Sequence, residues 1–212
     1  MRTRSKWLLI LALTVAVVAP VACGPIMSSN VKEPEYSVIE SGPDSIEIRR
    51  YPAIIVAETK VSGERYAAIN DGFRTLADYI FGNNTSKSKV AMTAPVMQQA
   101  GESIAMTAPV SQQVAGEGWI VRFVMPAEYT METLPKPNSS AVTLVEVPAK
   151  QFAAIRFSGF SSDANLDRHR ETLMRYVASR KLTTAGEPVM AFYNPPWTLP
   201  FMRRNEILIE LR

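Results

Sequence analysis

One histidine, His169, and one cysteine, Cys23, are all that this chain of 212 residues offers to the commonest catalytic and metal-binding designs. Cys23 closes an apolar N-terminal run and is committed to that leader, so it cannot form a nucleophile–base dyad with His169. A serine nucleophile would have to recruit His169, and no Gly-x-Ser-x-Gly turn is present to aim it. There is no His-Glu-x-x-His, no paired Cys-x-x-Cys and no phosphate-cradling glycine loop. No enzymatic constellation survives, and the expectation is a protein that catalyses nothing and holds no metal through a cluster of its own.

The remaining candidates suit binding. Tyr193, Trp197 and Phe201 lie in a proline-rich stretch just before Arg203 and Arg204. Aromatic faces stack on a flat conjugated ligand, and guanidinium groups pair with its carboxylates two bonds at a time. The alternative is a loop folded over the domain, its arginines bridging Glu206. Phe73 and Arg74 make a second, weaker pair of the same kind. Met92, Met97 and Met106 could be soft ligands or pliable groove walls, although Met92 and Met106 recur within a repeat, which favours packing. His169 falls between Leu166 and Leu173 on a helix. As an iron ligand it would need an open, flat pocket beside it; otherwise it is a helix-edge histidine bonded to a backbone carbonyl.

These groups need elements to position them. Alternation or β-rich runs predict strands at Tyr36 to Glu40, Ser45 to Arg50, Ala53 to Val61, Trp119 to Val124, Val142 to Val147, Gln151 to Phe157, Val189 to Tyr193 and Glu206 to Leu211. Two helices are predicted, from about Glu64 to Phe81 and from about Asp163 to Arg180. The first carries Tyr66, Ile69, Phe73, Leu76 and Ile80 at helical spacing; in the second, Leu166, Leu173, Tyr176 and Val177 face inward. A tandem repeat, Met-Thr-Ala-Pro-Val at Met92 to Val96 and again at Met106 to Val110, suggests a hairpin around Gly101. Pro95 and Pro109 would then sit at bulges or strand edges. Residues 132–140 read as loop.

The second half echoes the first. A shift of 96 lays Pro52 on Pro148 and Ser62-Gly63 on Ser158-Gly159; a shift of 97 lays Ile69 on Leu166 and Leu76 on Leu173. Two copies of a ββαββ unit imply an α+β fold with a mostly antiparallel sheet. The halves should meet about a pseudo-twofold axis, and the cleft at such a junction is a natural place for a small ligand.

The N-terminus reads as targeting. Arg2, Arg4 and Lys6 precede the apolar run Trp7 to Ala22, too short for a membrane span of roughly 20 residues and suited to a signal-peptide core. Residues 1–22 are therefore expected to be a signal peptide. Cys23 resembles the lipid-modified cysteine of bacterial lipoproteins, with residues 23–35 as anchor and tether and 36–212 as the folded domain. Ordinary cleavage near Ala19 or Ala22, or an uncleaved anchor, are the alternatives. Without the three leader cations, 20 basic residues stand against 20 acidic ones. That balance gives no basic surface for nucleic acid. The expected location is the cell envelope or periplasm, on a membrane through the lipid.

The Met-Thr-Ala-Pro-Val segments, Ile48-Arg-Arg-Tyr-Pro52, Arg156-Phe-Ser-Gly159, and Phe192-Tyr-Asn-Pro-Pro-Trp197 followed by Arg203-Arg-Asn-Glu206 together resemble the SOUL haem-binding family, in the family's order and over about Tyr36 to Arg212. The resemblance implies a distorted, mostly antiparallel β-barrel flanked by two helices in a duplicated arrangement. It implies haem or another tetrapyrrole in an apolar groove, with basic residues at the propionates and no need of a strong axial ligand. On that basis Arg74, Phe73, Met92, Met106, Tyr193, Trp197, Phe201, Arg203 and Arg204 are the expected groove, with His169 as the one candidate axial ligand. A histidine ligand near the N-terminus, as in one branch of the family, has no counterpart here. The alternatives are an envelope interaction or structural protein that keeps the fold without haem, or a binder of another flat apolar molecule.

Overall fold

A computed structural model describes residues 31–86 and 101–212. Val31–Arg212 is one compact unit. The first copy of the tandem repeat, with Met92 and Met97, and the leader with Cys23 lie outside the described residues.

The strands are β1 (Ser37–Ser41), β2 (Ile46–Tyr51), β3 (Ile54–Val61), β4 (Asn84–Thr85), β5 (Val110–Ala115), β6 (Gly118–Val124), β7 (Lys136–Pro137), β8 (Thr143–Val147), β9 (Lys150–Phe157), β10 (Thr184–Phe192) and β11 (Asn205–Leu211). Two α-helices, α1 (Arg65–Ile80) and α2 (Asp163–Ser179), and a short 3-10 turn at Pro200–Met202 complete the order. Nine strands form one antiparallel sheet in the order β1-β2-β9-β11-β10-β5-β6-β3-β8, and β4 pairs with β7 apart from it.

This order reads as a palindrome about the β5–β10 pair. β3, β6 and β5 of the first half mirror β9, β11 and β10 of the second, β2 adds to β9, and β8 adds to β3. The duplication is thus present in three dimensions. Its local signature is the Ser-Gly turn ahead of each helix: Gly63 has φ +99° and Gly159 φ +104°, backbone that glycine adopts without strain. The barrel implied by the family resemblance is not closed. β1 and β8 are edges at opposite ends of the sheet, each five residues long, and β1 slips register between Val38 and Glu40.

Both helices lie on one face. α2 covers Ile46, Ile48, Ala153, Ile155, Phe157, Ile207 and Ile209 through Leu166, Leu173 and Val177. α1 covers Ala57, Val121 and Phe123 through Leu76, Tyr79 and Ile80. The predicted stripe of α1 is corrected here: Tyr66 and Phe73 are exposed, and the buried face is Ala68, Gly72, Leu76, Ala77, Tyr79 and Ile80. The cause is close approach. A Cβ on Gly72 would stand 2.6 Å from Val121 Cβ, so glycine occupies the point where the helix comes closest to β6, and Phe73 reaches Phe123 only from the side. β10 begins at Thr184, five residues before the predicted start, and Gly186 with φ +65° and a register break between Ala185 and Val189 interrupts its ladder. Pro109 stands immediately before β5, at the strand edge expected of it.

Candidate ligand-binding sites

A cavity of about 490 Å³ opens where the two halves meet on the helical face. The first residues of both helices border it: Glu64 and Arg65 on one side, Asp163, Leu166, Asp167 and Arg170 on the other. The β5–β6 hairpin from Val114 to Trp119 forms a third wall, and Leu166, Met190 and Ile207 supply apolar lining. Glycine is needed in that hairpin, since a Cβ on Gly118 would lie 2.6 Å from the Val61 carbonyl oxygen. Trp119 is fixed by its Nε1–H, which donates to the Gly63 carbonyl at 3.1 Å.

The cavity's rim is acidic on balance. Arg65 pairs with Asp163 at 2.5 Å and Arg170 with Asp167 at 2.9 Å, while Glu64, Glu117 and Glu187 make no ion pair among the described residues. Volume and apolar lining suit a flat macrocycle. Arg65 and Arg170 are the cations within reach of its carboxylates, and each would have to leave its aspartate.

The helix-free face holds a buried polar cluster. Glu206, fully buried, accepts from Arg49 at 2.7 and 3.2 Å, from Arg204 Nε at 2.9 Å and from the Tyr193 hydroxyl at 2.8 Å. Arg49, 2% exposed, also binds Glu47 at 2.7 Å and the Tyr51 hydroxyl at 3.3 Å. Its guanidinium lies 4.4 Å from the Tyr36 ring centre, and that of Arg204 lies 3.8 Å from Tyr193. Burial opposes the Glu206 charge, yet the hydrogen bond and charge of Arg49, then Arg204 and Tyr193, hold its carboxyl below the ordinary range. Burial, together with the Glu206 charge, pushes the Tyr193 phenol far up; burial lifts Tyr51 to about 12 against the lowering influence of Arg49. Residues 32–36 run over this face, with Glu33 reaching Arg204 at 2.9 Å.

The sequence-predicted groove is therefore divided. Tyr193 and Arg204 belong to the buried cluster. Trp197 and Phe201, at 83% and 73% exposure, stand on the outer loop with Leu199 and Met202, and Phe160 of the β9–α2 turn is exposed as well. Arg203 donates to the Thr198 carbonyl at 2.7 Å and to Pro196, clamping that loop, with its guanidinium 5.4 Å from the Phe160 ring centre. Phe73 meets Phe123 edge-on at 5.4 Å, Arg74 pairs with Asp71, and Met106 packs against the α1 core. His169 stacks on Phe157 at 3.9 Å, and its Nδ1 lies 2.7 Å from the Asn165 carbonyl. With Nδ1–H donating there, Nε2 is the nitrogen left for other chemistry. None of these side chains lines the junction cavity. Arg65, Trp119, Arg170 and Met190 do, and the signal that could have found them was the repeated Ser-Gly turn, which brings the two helix starts to the pseudo-twofold axis. Among the described residues no group of three or more His, Cys, Asp and Glu is placed to hold a metal.

Residues 31–210 match the SOUL heme-binding protein family. Heme-binding protein 2 of Mus musculus is 30% identical over 174 residues, spanning 80% of this chain and 79% of that protein. In three dimensions the chain resembles the C-terminal domain of EcmrR, with TM-score 0.57 at 11% identity, over 84% of this chain and 98% of that one. It also resembles a hydrolase from Listeria innocua, with TM-score 0.52 at 13% identity, over 80% and 92%. At such identities these two likenesses speak for the fold alone.

Proposed function

Because this chain belongs to the SOUL haem-binding family, we propose that it binds haem or a related tetrapyrrole, without catalysing a reaction on it, and that the ligand enters the cavity between the two halves. The observation that carries this is the 490 Å³ space walled by Trp119 and lined by Leu166, Met190 and Ile207, with Arg65 and Arg170 at its mouth. The macrocycle lies against the apolar residues, and the guanidiniums turn outward to its carboxylates. Met190 is the soft side chain nearest to the role of an iron contact. His169 is on the far side of α2, where it serves the wall of a second pocket.

The three tryptophans separate the sites. Trp7 lies in the leader, Trp119 in the cavity wall and Trp197 on the exposed loop. Haemin titrated into Trp197→Phe should quench the remaining Trp119 emission to saturation at one equivalent, with a Soret band growing in step. In Trp119→Phe the Trp197 emission should respond weakly. Quenching confined to Trp197 would move the ligand to the aromatic loop predicted from sequence. Quenching that never saturates in either variant would leave an envelope protein that keeps this fold without haem.

A second reading rests on the rim. Five acids against two arginines favour a flat ligand that is neutral or cationic over one with two free carboxylates. Haemin dimethyl ester, which lacks those charges, tests it: tighter binding than haemin supports the second reading, and weaker binding supports propionate pairing.

We place the protein at the cell envelope, held to a membrane by lipid on Cys23. The support is the order of basic residues, apolar run and cysteine at the N-terminus. Fractionation of the producing cells checks this, since Cys23→Ser should move the protein from the membrane to the soluble fraction.

A further inference from the structure

Five of the twelve large apolar side chains that stand exposed among the described residues gather at one end of the sheet: Phe160, Trp197, Leu199, Phe201 and Met202. Four ride on the connection between β10 and β11, and the fifth on the turn between β9 and α2. The two connections are joined. The Gly159 amide donates to the Pro200 carbonyl at 2.9 Å, Asn205 Nδ2 donates to the Gly159 carbonyl at 3.0 Å, and the Arg203 guanidinium sits 5.4 Å from the Phe160 ring centre. A clustered apolar surface on a folded domain marks a protein partner or a membrane.

The patch is held in place. Pro195, Pro196 and Pro200 restrict the backbone. The Thr198 amide closes a turn on Pro195 at 3.0 Å, and the Met202 amide closes another on Leu199 at 2.9 Å. Arg203 donates into the loop's own carbonyls. The side chains are therefore presented outward by a fixed backbone, and seating them elsewhere costs little further ordering of the chain.

Composition and position favour the membrane. Residues 157–162 and 194–203 contain no aspartate or glutamate and one cation, Arg203. Tryptophan and phenylalanine at the tip with an arginine behind them suit the headgroup level of a bilayer, where aromatic rings and long cationic side chains settle. The chain also enters the domain at this end. The Lys32 carbonyl accepts from the Ala108 amide at 2.9 Å, just ahead of Val110, which pairs with Phe192 where the loop begins. Glu33 reaches Arg204, the residue after the Arg203 clamp, at 2.9 Å. The two acids nearest this entry are paired, Glu128 with Lys32 and Glu33 with Arg204. Fully extended, the chain from Cys23 to Lys32 spans at most about 30 Å.

We propose that this patch seats in the interfacial layer of a phospholipid bilayer, with Trp197 and Phe201 entering among the upper acyl chains and Arg203 level with the headgroup phosphates. The inference rests on the envelope reading above for its direction, because a lipid on Cys23 is what tethers this end of the domain to the surface. It adds a second point of contact, which fixes how the domain stands on the membrane.

The test uses the full chain carrying Trp7→Phe and Trp119→Phe, so that Trp197 is the sole emitter, bound to phosphatidylcholine vesicles and recovered with them by flotation. In the floated protein, Trp197 emission should shift to the blue. Bromines placed high on the acyl chains should quench it more than bromines near their ends. Leu199→Asn/Phe201→Asn should lose both effects while still floating, and a thermal midpoint matching its parent will show that the loss is not unfolding. Floated protein whose Trp197 emits as in water, unquenched by either lipid, overturns the proposal and leaves the Cys23 anchor standing. Quenching that persists in Cys23→Ser upholds the loop and removes the lipid from the argument. A blue shift that grows with protein concentration in the absence of vesicles assigns the patch to a second copy of the chain, and overturns the proposal as well.

Discussion

Replacing Glu206 with glutamine perturbs the chain at its most enclosed charge. The substitution keeps the shape and one acceptor oxygen, but removes the negative charge that faces two guanidiniums at 2.7 to 3.2 Å. Arg204 can fall back on Glu33, which it already binds at 2.9 Å. Arg49 is nearly sealed from water and keeps only Glu47 as an anionic partner among the described residues. Removing one partner of a buried ion pair typically costs about 3–5 kcal/mol, most of it the penalty of the stranded charge. For a domain of this size each kcal/mol moves the thermal midpoint by roughly 2–4 °C, so Glu206→Gln should melt on the order of 10 °C below the parent.

The same charge makes a pH signature. The folded carboxyl is held below its unfolded value. Its stabilisation is therefore complete above the unfolded value of about 4.3 and declines as pH falls toward the folded one. Glu206→Gln should flatten that acid limb. The assay is thermal denaturation by circular dichroism between pH 3 and 8, with Glu58→Gln as reference, because the Glu58–Arg122 pair at 2.8 Å is partly open to water. If Glu206→Gln cost under about 1 kcal/mol, no more than a typical surface pair, the idea that this cluster is sealed from solvent would be refuted.

Gly72→Ala should destabilise even though alanine is the better helix former by about 1 kcal/mol: the new Cβ would press on Val121, and overpacking of this kind costs about 1–3 kcal/mol, readable from urea denaturation. Gln112→Met should be near neutral by the same measurement, within about 1 kcal/mol; Gln112 Oε1 is buried without a partner among the described residues, and only the bond from Nε2 to the Arg65 carbonyl would be lost. Ser45→Gly should raise stability by up to about 1 kcal/mol by relieving left-handed backbone at the β1–β2 turn, seen as a higher thermal midpoint. At alkaline pH, Tyr51, pushed up to about 12, keeps its proton folded after the unfolded chain loses it near 10. Stability should therefore fall as pH rises through about 10 to 12, and Tyr51→Phe should lessen that slope in alkaline melts.

Element types were legible wherever the pattern was local. Ser45 to Arg50 alternates, and the observed strand keeps Ile46 and Ile48 on the α2 side with Arg49 and Tyr51 opposite. Orientation of α1 was not legible, because hydrophobicity alone ranks Tyr66 and Phe73 above Ala68 and Gly72, whereas the close approach to Val121 at Gly72 turns the helix so that Ala68 and Gly72 are buried. The site divided for a related reason. Arg203 and Arg204 are adjacent in sequence and on a strand-like backbone point opposite ways: one clamps the outer loop and the other enters the buried cluster. The pairing of Arg204 with Glu206 was visible as the bland alternative for that motif. Arg49, 157 residues from Glu206, could not be connected to it by any local rule.

The palindromic strand order has a consequence for how the molecule can come apart. β2 is hydrogen-bonded only into the second half's strands and its own hairpin, and β8 only into the first half's. Neither repeat owns a complete sheet, so neither is a free-standing foldon; separating them strips an edge from both at once. A protease nick between β7 and β8 should accordingly leave two fragments clasped together under native conditions. Two polypeptides expressed from that break should reassemble, and either one alone should expose strand edges that invite pairing with further copies of itself.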